Sequence, residues 1–274
     1  MISFTNNIRS KILFFYDIIL LKSGDDMGKL FLLTGDYILN SDGKDAIVNA
    51  ANKYMTNGSG ICGAIYRNAG YQLEEYCHNT FSTNMINNEV RITPGFNLKM
   101  DIIHVLAPKF FEEQNPIEEL LKSYKNMLEE IIKHNYKNVL LCSLGTGIHG
   151  YKHEDVAKDL IFLLNNFCRI NDVNLYLNNL YPLYKDVYLN EFIKANALSL
   201  RNDLSKLSVL EMKQYLIDNN LVENDIKIKY DDFVKGKDLD DLCLTEKLIC
   251  LQYTLEHFEV TKEKIMVLIE KMGD

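Results

Sequence analysis

The sequence lacks tryptophan, an excess of basic residues, closely paired cysteines and any apolar run long enough to span a membrane. Its net charge is −8 and its pI is near 5.3. Because so acidic a protein does not neutralise a phosphate backbone, we do not expect it to bind nucleic acid. The six cysteines show no Cys-x-x-Cys spacing, which favours reduced thiols in a cytoplasmic protein over a disulfide framework.

One apolar stretch near the N-terminus, residues 12–21, follows two basic residues and superficially resembles a signal peptide. Asp17 interrupts it, and no small-residue cleavage site follows. It is also shorter than the roughly 20 residues that a membrane-spanning helix needs. We therefore predict that residues 1–26 form an N-terminal extension packed on the domain, and we expect no membrane partner.

Apolar runs typical of strands alternate with helical patterns in the first two thirds of the 274-residue chain. Strands are predicted at residues 30–33, 46–48, 89–93, 101–106, 139–142 and 173–177, and helices at 64–69, 115–136, about 156–167 and 186–195. Interleaved strands and helices predict a layered α/β sheet. Residues 197–274 contain only helical patterns and no motif that carries chemistry. They are predicted to form a helical appendage whose partner the sequence does not identify.

Two glycine loops, Gly58–Gly63 and Gly145–Gly150, match the pattern G-x-G-x-x-G, and each lies between a predicted strand and a predicted helix. This arrangement places backbone N–H groups and the positive end of a helix dipole against an anion. Two such loops in one sheet predict a diphosphate held from both sides. A Rossmann oxidoreductase is disfavoured, because the strand after the second loop ends in Asn178 and Asn179 and supplies no carboxylate for a ribose.

Asn49 and Asn52 precede the first loop, and neutral amides suit ribose hydroxyls because they can both donate and accept. Cys62 lies within the first loop, directly before Gly63, and it is either a nucleophile or, as we favour, a small packed thiol. His104 lies inside an apolar strand, which favours a buried core histidine.

Three further side chains, Cys142, His149 and His153, could be drawn as zinc ligands. A fourth ligand is missing and the spacing is irregular, so we predict no metal site.

The stretch from Asp45 to Gly70 resembles the macrodomain signature, in which D-A-I-V-N-A-A-N precedes a glycine loop and a helix ending in A-A-G. Further motifs agree in family order over roughly residues 28–195, namely Gly35-Asp36, residues 92–95, residues 102–105 with Pro108, and residues 145–151. The resemblance implies a three-layer α/β/α macrodomain at residues 27–196, with a mixed, mostly parallel sheet, before the helical appendage. It also implies that ADP-ribose or an ADP-ribosylated protein is the partner and that no cofactor is needed.

The resemblance also implies roles for individual residues. Asn52 and Asn49 would face the distal ribose, with Asn52 most closely tied to turnover, and Asp36 would accept a hydrogen bond from the adenine amino group. The remaining ligand-binding residues implied are Gly60, Ile61, Cys62, Gly145, Thr146, Gly147, Ile148, His149, Tyr151 and Asn178.

The chain departs from the hydrolase branch of the family in four places. Cys62 replaces a frequent aspartate and Ser59 replaces a glycine, while Gly145 and His149 stand where serine and an aromatic residue are usual. We predict a hydrolase of ADP-ribosyl or O-acetyl-ADP-ribosyl linkages, because a substrate phosphate can activate a water that the loops position. The alternative is a non-catalytic ADP-ribose reader.

Overall fold

A six-stranded sheet forms the centre of the computed structural model, which describes residues 28–218, 227 and 230–272. The predicted N-terminal extension, residues 1–26, lies outside the described residues. The strands are β1 (Leu30–Thr34), β2 (Ala46–Ala50), β3 (Val90–Thr93), β4 (Asp101–Val105), β5 (Asn138–Cys142) and β6 (Asn174–Asn179). Their order across the sheet is β1-β6-β5-β2-β4-β3. Every neighbouring pair is parallel except β3 and β4, which confirms the mixed, mostly parallel sheet.

The central strands are mostly apolar because both faces of the sheet are covered. Ile47, Ile102 and Leu140, on three adjacent strands, are completely buried. The helices of the first three quarters of the chain are α1 (Gly60–Ala69), α2 (Tyr71–Thr80), α3 (Pro116–Lys133), α4 (His153–Ile170) and α5 (Pro182–Lys206). Strands and helices form the predicted three-layer α/β/α fold.

Two helices differ from the sequence-based expectation. Helix α1 begins at Gly60 and not at Ala64, so the last glycines of the first loop form the first helical turn. Helix α2 was not predicted, because its segment is mostly polar and buries only Leu73 and Cys77. Gly70 separates the two helices with φ +93°, a conformation that residues with a side chain rarely adopt.

The described chain forms two compact units, one ending at Tyr188 and the other beginning at Leu189. The second unit contains α6 (Val209–Asp218), α7 (Leu244–His257) and α8 (Lys262–Glu270). Within it the rings of Tyr230 and Tyr253 stack with centroids 3.9 Å apart. None of the helices in the described residues is long and apolar enough to cross a bilayer. The predicted domain boundary at residue 196 stays a prediction.

Candidate functional site

A cavity of about 490 Å³ opens in the first unit at the carboxyl ends of the parallel strands, which is where open α/β sheets bind their ligands. The residues that follow β2, β4, β5 and β6 supply its walls. The lining residues are Ala50, Ala51, Asn52, Gly58, Ser59, Gly60, Ile61, Cys62, Val105, Ala107, Ser143, Gly145, Thr146, Gly147, Ile148, His149, His153, Asn178, Asn179, Leu180, Tyr181 and Tyr184. Both glycine loops predicted from the sequence therefore meet at one cavity.

The first wall is the N-terminus of α1. Ser59 is the residue before the helix, and Gly60 has φ +56°, a left-handed conformation that favours glycine. The first N–H groups of a helix have no intrahelical acceptor. Gly60, Ile61 and Cys62 occupy this first turn and line the cavity. Their backbone N–H groups can therefore bind an anion there.

The second wall is the loop from Gly145 to His149, and all five of its residues line the cavity. Gly145 has φ +78°, and a Cβ at this position would lie only 2.7 Å from the ring of Tyr151. The loop closes on itself through a hydrogen bond from the N–H of Tyr151 to the carbonyl of Gly145, 3.2 Å long. Close packing against this ring therefore requires glycine at position 145.

Tyr151 itself does not line the cavity, unlike the expectation that it contacts the ligand. Its ring is buried beneath the loop and packs edge-on against Phe110, and its hydroxyl donates to the carbonyl of Pro116 at 3.0 Å. These contacts hold the side chain behind the second wall. His149 lines the cavity, with Nδ1 3.2 Å from the carbonyl oxygen of Pro108.

Asn52 lines the cavity where β2 passes into the first loop. Its Nδ2 donates to the carbonyl of Thr56 at 2.6 Å, and its Oδ1 accepts from the N–H of Tyr54 at 3.0 Å. The amide is thereby fixed in orientation by the short segment that follows it.

Asn49, which was expected to face the ribose, is instead completely buried and outside the cavity lining. It lies opposite His104 in the pairing of β2 with β4, and its Nδ2 donates to Nδ1 of His104 at 3.0 Å. Nε2 of His104 then carries the ring proton and donates to Oγ1 of Thr93, also at 3.0 Å. Burial, aided by the charge of Arg91, lowers the pKa of His104 to about 3. The histidine is a neutral core residue, as predicted.

Cys62 is part of the first wall, but its side chain is almost fully buried. Its sulfur lies 3.8 Å from Nδ2 of Asn49 and 3.9 Å from Nδ2 of Asn52, and it donates to the carbonyl of Thr56 at 3.6 Å. Burial raises the pKa of this thiol above its ordinary value, and the amide donors offset the effect only in part. Cys62 is therefore a neutral, packed thiol at physiological pH.

Asp36 and Asn178 both hold the turn after β1. Asp36 is exposed and outside the cavity lining, and its Oδ1 accepts from the N–H groups of Ile38 and Leu39 at 2.8 and 2.9 Å. Asn178 lines the cavity, but its Nδ2 donates to the carbonyl of Gly35 and its Oδ1 accepts from Asn40. The amide of Asn178 is thus committed to protein partners.

Several lining residues were missed by the sequence analysis, notably Ser143, Asn179, His153, Tyr181 and Tyr184. Ser143 and Asn179 come at the carboxyl ends of β5 and β6, a position that could have identified them. His153 and the two tyrosines carried no such signal.

His153 lies at the start of α4 and its ring stacks on that of Tyr184, with centroids 4.0 Å apart. Its Nδ1 is 3.0 Å from the hydroxyl of Tyr188. Burial lowers the pKa of His153, so its ring is neutral at physiological pH. Within the part of the chain that the structure describes, no group of three or more His, Cys, Asp and Glu side chains could hold a metal ion.

Comparisons with known proteins converge on one family. The family model described as Macro domain matches residues 48–160. A Macro domain-containing protein of Methanosarcina mazei is 31% identical over 165 residues, which span 60% of this chain and 82% of the relative. The Macro domain-containing protein CT2219 of Chlorobaculum tepidum is 38% identical over 41% of this chain and 66% of its own length.

One relative is named for an activity. ADP-ribose glycohydrolase MACROD1 of Rattus norvegicus is 30% identical over 45% of this chain, and the match spans about half of the rat protein, 48%. Among solved structures, the Oceanobacillus iheyensis macrodomain with ADP superposes with a TM-score of 0.56 at 26% identity, covering 62% of this chain and 92% of that one. A variant of the same macrodomain was solved with ADPR and has a TM-score of 0.55 at 25% identity over 62% and 94% of the two chains.

Proposed function

This chain belongs to the macro domain family, and on that premise we propose that its cavity binds ADP-ribose and that the protein hydrolyses ADP-ribosyl or O-acetyl-ADP-ribosyl linkages. One observation carries the proposal. The helix terminus at Gly60–Cys62 and the loop at Gly145–Ile148 line the same cavity with backbone donors. This is a binding site for a diphosphate.

Dipoles alone hold the diphosphate in this proposal. In the part of the chain that the structure describes, the cavity lining includes no lysine and no arginine. A helix N-terminus and a glycine loop supply partial positive charge without side chains. The net charge of −8 agrees with a protein that does not collect polyanions by long-range attraction.

The roles implied by the family resemblance give the ligand a direction across the sheet, and the order of the strands supports it. Asn52 follows β2, and Asp36 follows β1, with β5 and β6 between them. Neighbouring strands lie about 4.8 Å apart, so the site extends about 14 Å across the sheet. With the roles that the resemblance implies for Asn52 and Asp36, an extended ADP-ribose has its distal ribose at Asn52 and its adenosine towards β6 and β1. Asp36 supplies the adenine contact, and Asn178 orders the turn that carries it.

Hydrolysis of an ADP-ribosyl linkage requires a water molecule next to the anomeric carbon of the distal ribose, and hydrolysis of an O-acetyl ester requires one next to the acetyl carbonyl carbon. The oxygen of this water forms the new bond to that carbon, the bond to the leaving oxygen breaks, and a substrate phosphate oxygen accepts the water's proton. Asn52 is fixed at the cavity wall by its bonds to Tyr54 and Thr56, and it positions this water. The raised pKa of Cys62 excludes its thiol as the base at neutral pH.

A reader module is the second candidate, favoured by the neutral thiol of Cys62 at a position where an acidic side chain is frequent in hydrolases. Its partner is an ADP-ribosylated protein.

The two candidates are separated by release assays on proteins modified at acidic residues or serine and on O-acetyl-ADP-ribose. As a hydrolase, the wild-type protein releases product, and Asn52→Ala slows release at least about a hundredfold while ADP-ribose affinity stays within about tenfold. Asn68→Ala, on the exposed face of α1, is the control and retains the wild-type rate. Binding without release from any of these substrates would support the reader and contradict the hydrolase.

A further inference from the structure

Asn179 carries a buried hydrogen-bond donor that the protein does not use. Its side chain lies at the end of β6, lines the cavity and is only 2% exposed. Among the described residues, its Nδ2 has no hydrogen-bond partner. A buried donor without a partner is costly and rare in folded proteins. At a cavity wall, the missing partner is a water molecule or a ligand atom that takes its place.

The neighbouring residues fix the direction of this donor. Oδ1 of Asn179 accepts a hydrogen bond from Oγ of Ser143 at 2.8 Å. Ser143 itself follows β5 and lines the cavity. With Oδ1 engaged, Nδ2 is the atom that remains for a ligand. The preceding residue, Asn178, differs in this respect because both of its amide atoms bond to protein groups.

The sheet order places Asn179 at the nucleoside end of the site. Asn179 pairs with Thr34 of β1, two residues before Asp36, and its carbonyl accepts from the N–H of Gly35 at 3.2 Å. Asn52, at the distal end, follows a strand two positions away in the sheet. Asn179 therefore lies at the adenosine half of a ligand that runs from β2 to β1, and a small side-chain rotation is needed to bring its buried Nδ2 to the cavity. The acceptors in that half are the two ribose hydroxyls, the weaker ribose ring oxygen and the ring nitrogens of adenine, and the hydroxyls are the strongest acceptors on the sugar that follows β6.

We propose that Nδ2 of Asn179 donates a hydrogen bond to a hydroxyl oxygen of the adenosine ribose, and that this contact makes the site selective for ribonucleotides over deoxyribonucleotides. The inference rests on the proposed function, since it takes the ligand to be ADP-ribose. A site built to bond a hydroxyl discriminates against a ligand that lacks it, because the buried donor is then left without a partner.

Calorimetry with ADP, 2′-deoxy-ADP and 3′-deoxy-ADP tests the contact on the wild-type protein. We expect ADP to bind about five- to tenfold more tightly than one of the two deoxynucleotides, the range of a single hydrogen bond. Asn179→Leu, which has a similar shape and no donor, is expected to bind ADP and that deoxynucleotide equally. Asn179→Asp retains the acceptor for Ser143 and replaces the donor with an acceptor, so it is also expected to lose the discrimination.

Two results would overturn the inference. One is wild-type protein that binds both deoxynucleotides as tightly as ADP. The other is an Asn179→Leu or Asn179→Asp variant whose affinities for ADP and for both deoxynucleotides are reduced by the same factor. The wild-type comparison stands even where a variant does not fold. Absence of ADP-ribose binding to the wild-type protein would instead remove the proposed function, whereas ADP-ribose binding without discrimination removes this inference alone.

Discussion

Gly147→Glu places a carboxylate at the position proposed for the diphosphate. Gly147 is exposed in the second loop, and a Cβ built on it meets no atom within 4 Å. Its φ lies outside the left-handed region, so a residue with a side chain fits the backbone. The substitution therefore tests the cavity without straining the fold.

The magnitude follows from Coulomb's law. Two like unit charges about 4–5 Å apart repel by about 1 kcal/mol in water and about 4 kcal/mol at an effective dielectric of about 20. A diphosphate carries two charges, so the new carboxylate costs about 2–8 kcal/mol. This corresponds to a loss of affinity for ADP-ribose of at least about thirtyfold.

Two matched variants at the same position separate charge from volume. Gly147→Ala adds only a methyl group in open space and is expected to bind ADP-ribose within about threefold of wild type. Gly147→Gln has the size of glutamate without its charge and is expected to lose less affinity than Gly147→Glu. The difference between the two is expected to shrink as salt rises from about 0.05 to about 0.5 M, because salt screens exposed charges.

The assay is calorimetry with ADP-ribose, accompanied by thermal unfolding of each variant. A folded Gly147→Glu protein that binds ADP-ribose within about threefold of wild type would show that the loop at Gly145–Ile148 does not hold the diphosphate.

Three further variants probe the base contact, the thiol and the core. Asp36→Ala is expected to weaken ADP-ribose binding by about 1–3 kcal/mol and, because Asp36 also accepts from two backbone N–H groups, to lower the free energy of unfolding by about 1 kcal/mol. Asp36→Asn still accepts from the backbone N–H groups and is the control for stability. Equal affinity of the wild-type protein for GDP-ribose and ADP-ribose would contradict the adenine contact. Since burial raises the pKa of Cys62, we expect labelling of this thiol with iodoacetamide, measured on its peptide, to be slow at neutral pH and to accelerate only at alkaline pH. Cys62→Ser is expected to change turnover little. Fast labelling at neutral pH that blocks activity would instead show that the thiol takes part in the reaction. The pKa of His104 is about 3 in the folded protein and about 6.5 when unfolded. Between about pH 6.5 and about pH 3 only the unfolded chain binds this proton, so the free energy of unfolding falls by up to about 1.4 kcal/mol for each pH unit. Urea denaturation is expected to show this dependence in the wild type and a shallower one in His104→Gln, and identical slopes would contradict a neutral buried ring.

The strands were predictable from the sequence because a parallel sheet buried on both faces leaves continuous apolar runs. The start of helix α1 was harder to predict. Its true start at Gly60 is hidden because glycine has a low helix propensity, so the glycines indicated a loop where the structure has a helical turn. Helix α2 was missed because only Leu73 and Cys77 of its ten residues are buried, which gives almost no apolar periodicity.

The site was predictable only in part because the direction of a side chain depends on its partners in other strands. Asn49 points into the core since it pairs with His104, and nothing in the local sequence specifies that pairing. The same is true of Tyr151, whose hydroxyl bonds to the distant Pro116, and of Asn179, whose value as a donor depends on Ser143. The loop glycines could be predicted from the local sequence because the anion contact proposed for them uses only backbone N–H groups and no side-chain direction.

The central claim is that the cavity between the two glycine loops binds ADP-ribose, and titration of the wild-type protein with ADP-ribose tests it most directly. The account predicts saturable binding of one ligand per chain, competition by ADP, and a rise in melting temperature that grows with ligand concentration. No binding heat together with no thermal stabilisation at about 1 mM ADP-ribose would contradict it, because a ligand at or above its Kd must stabilise the folded state that binds it.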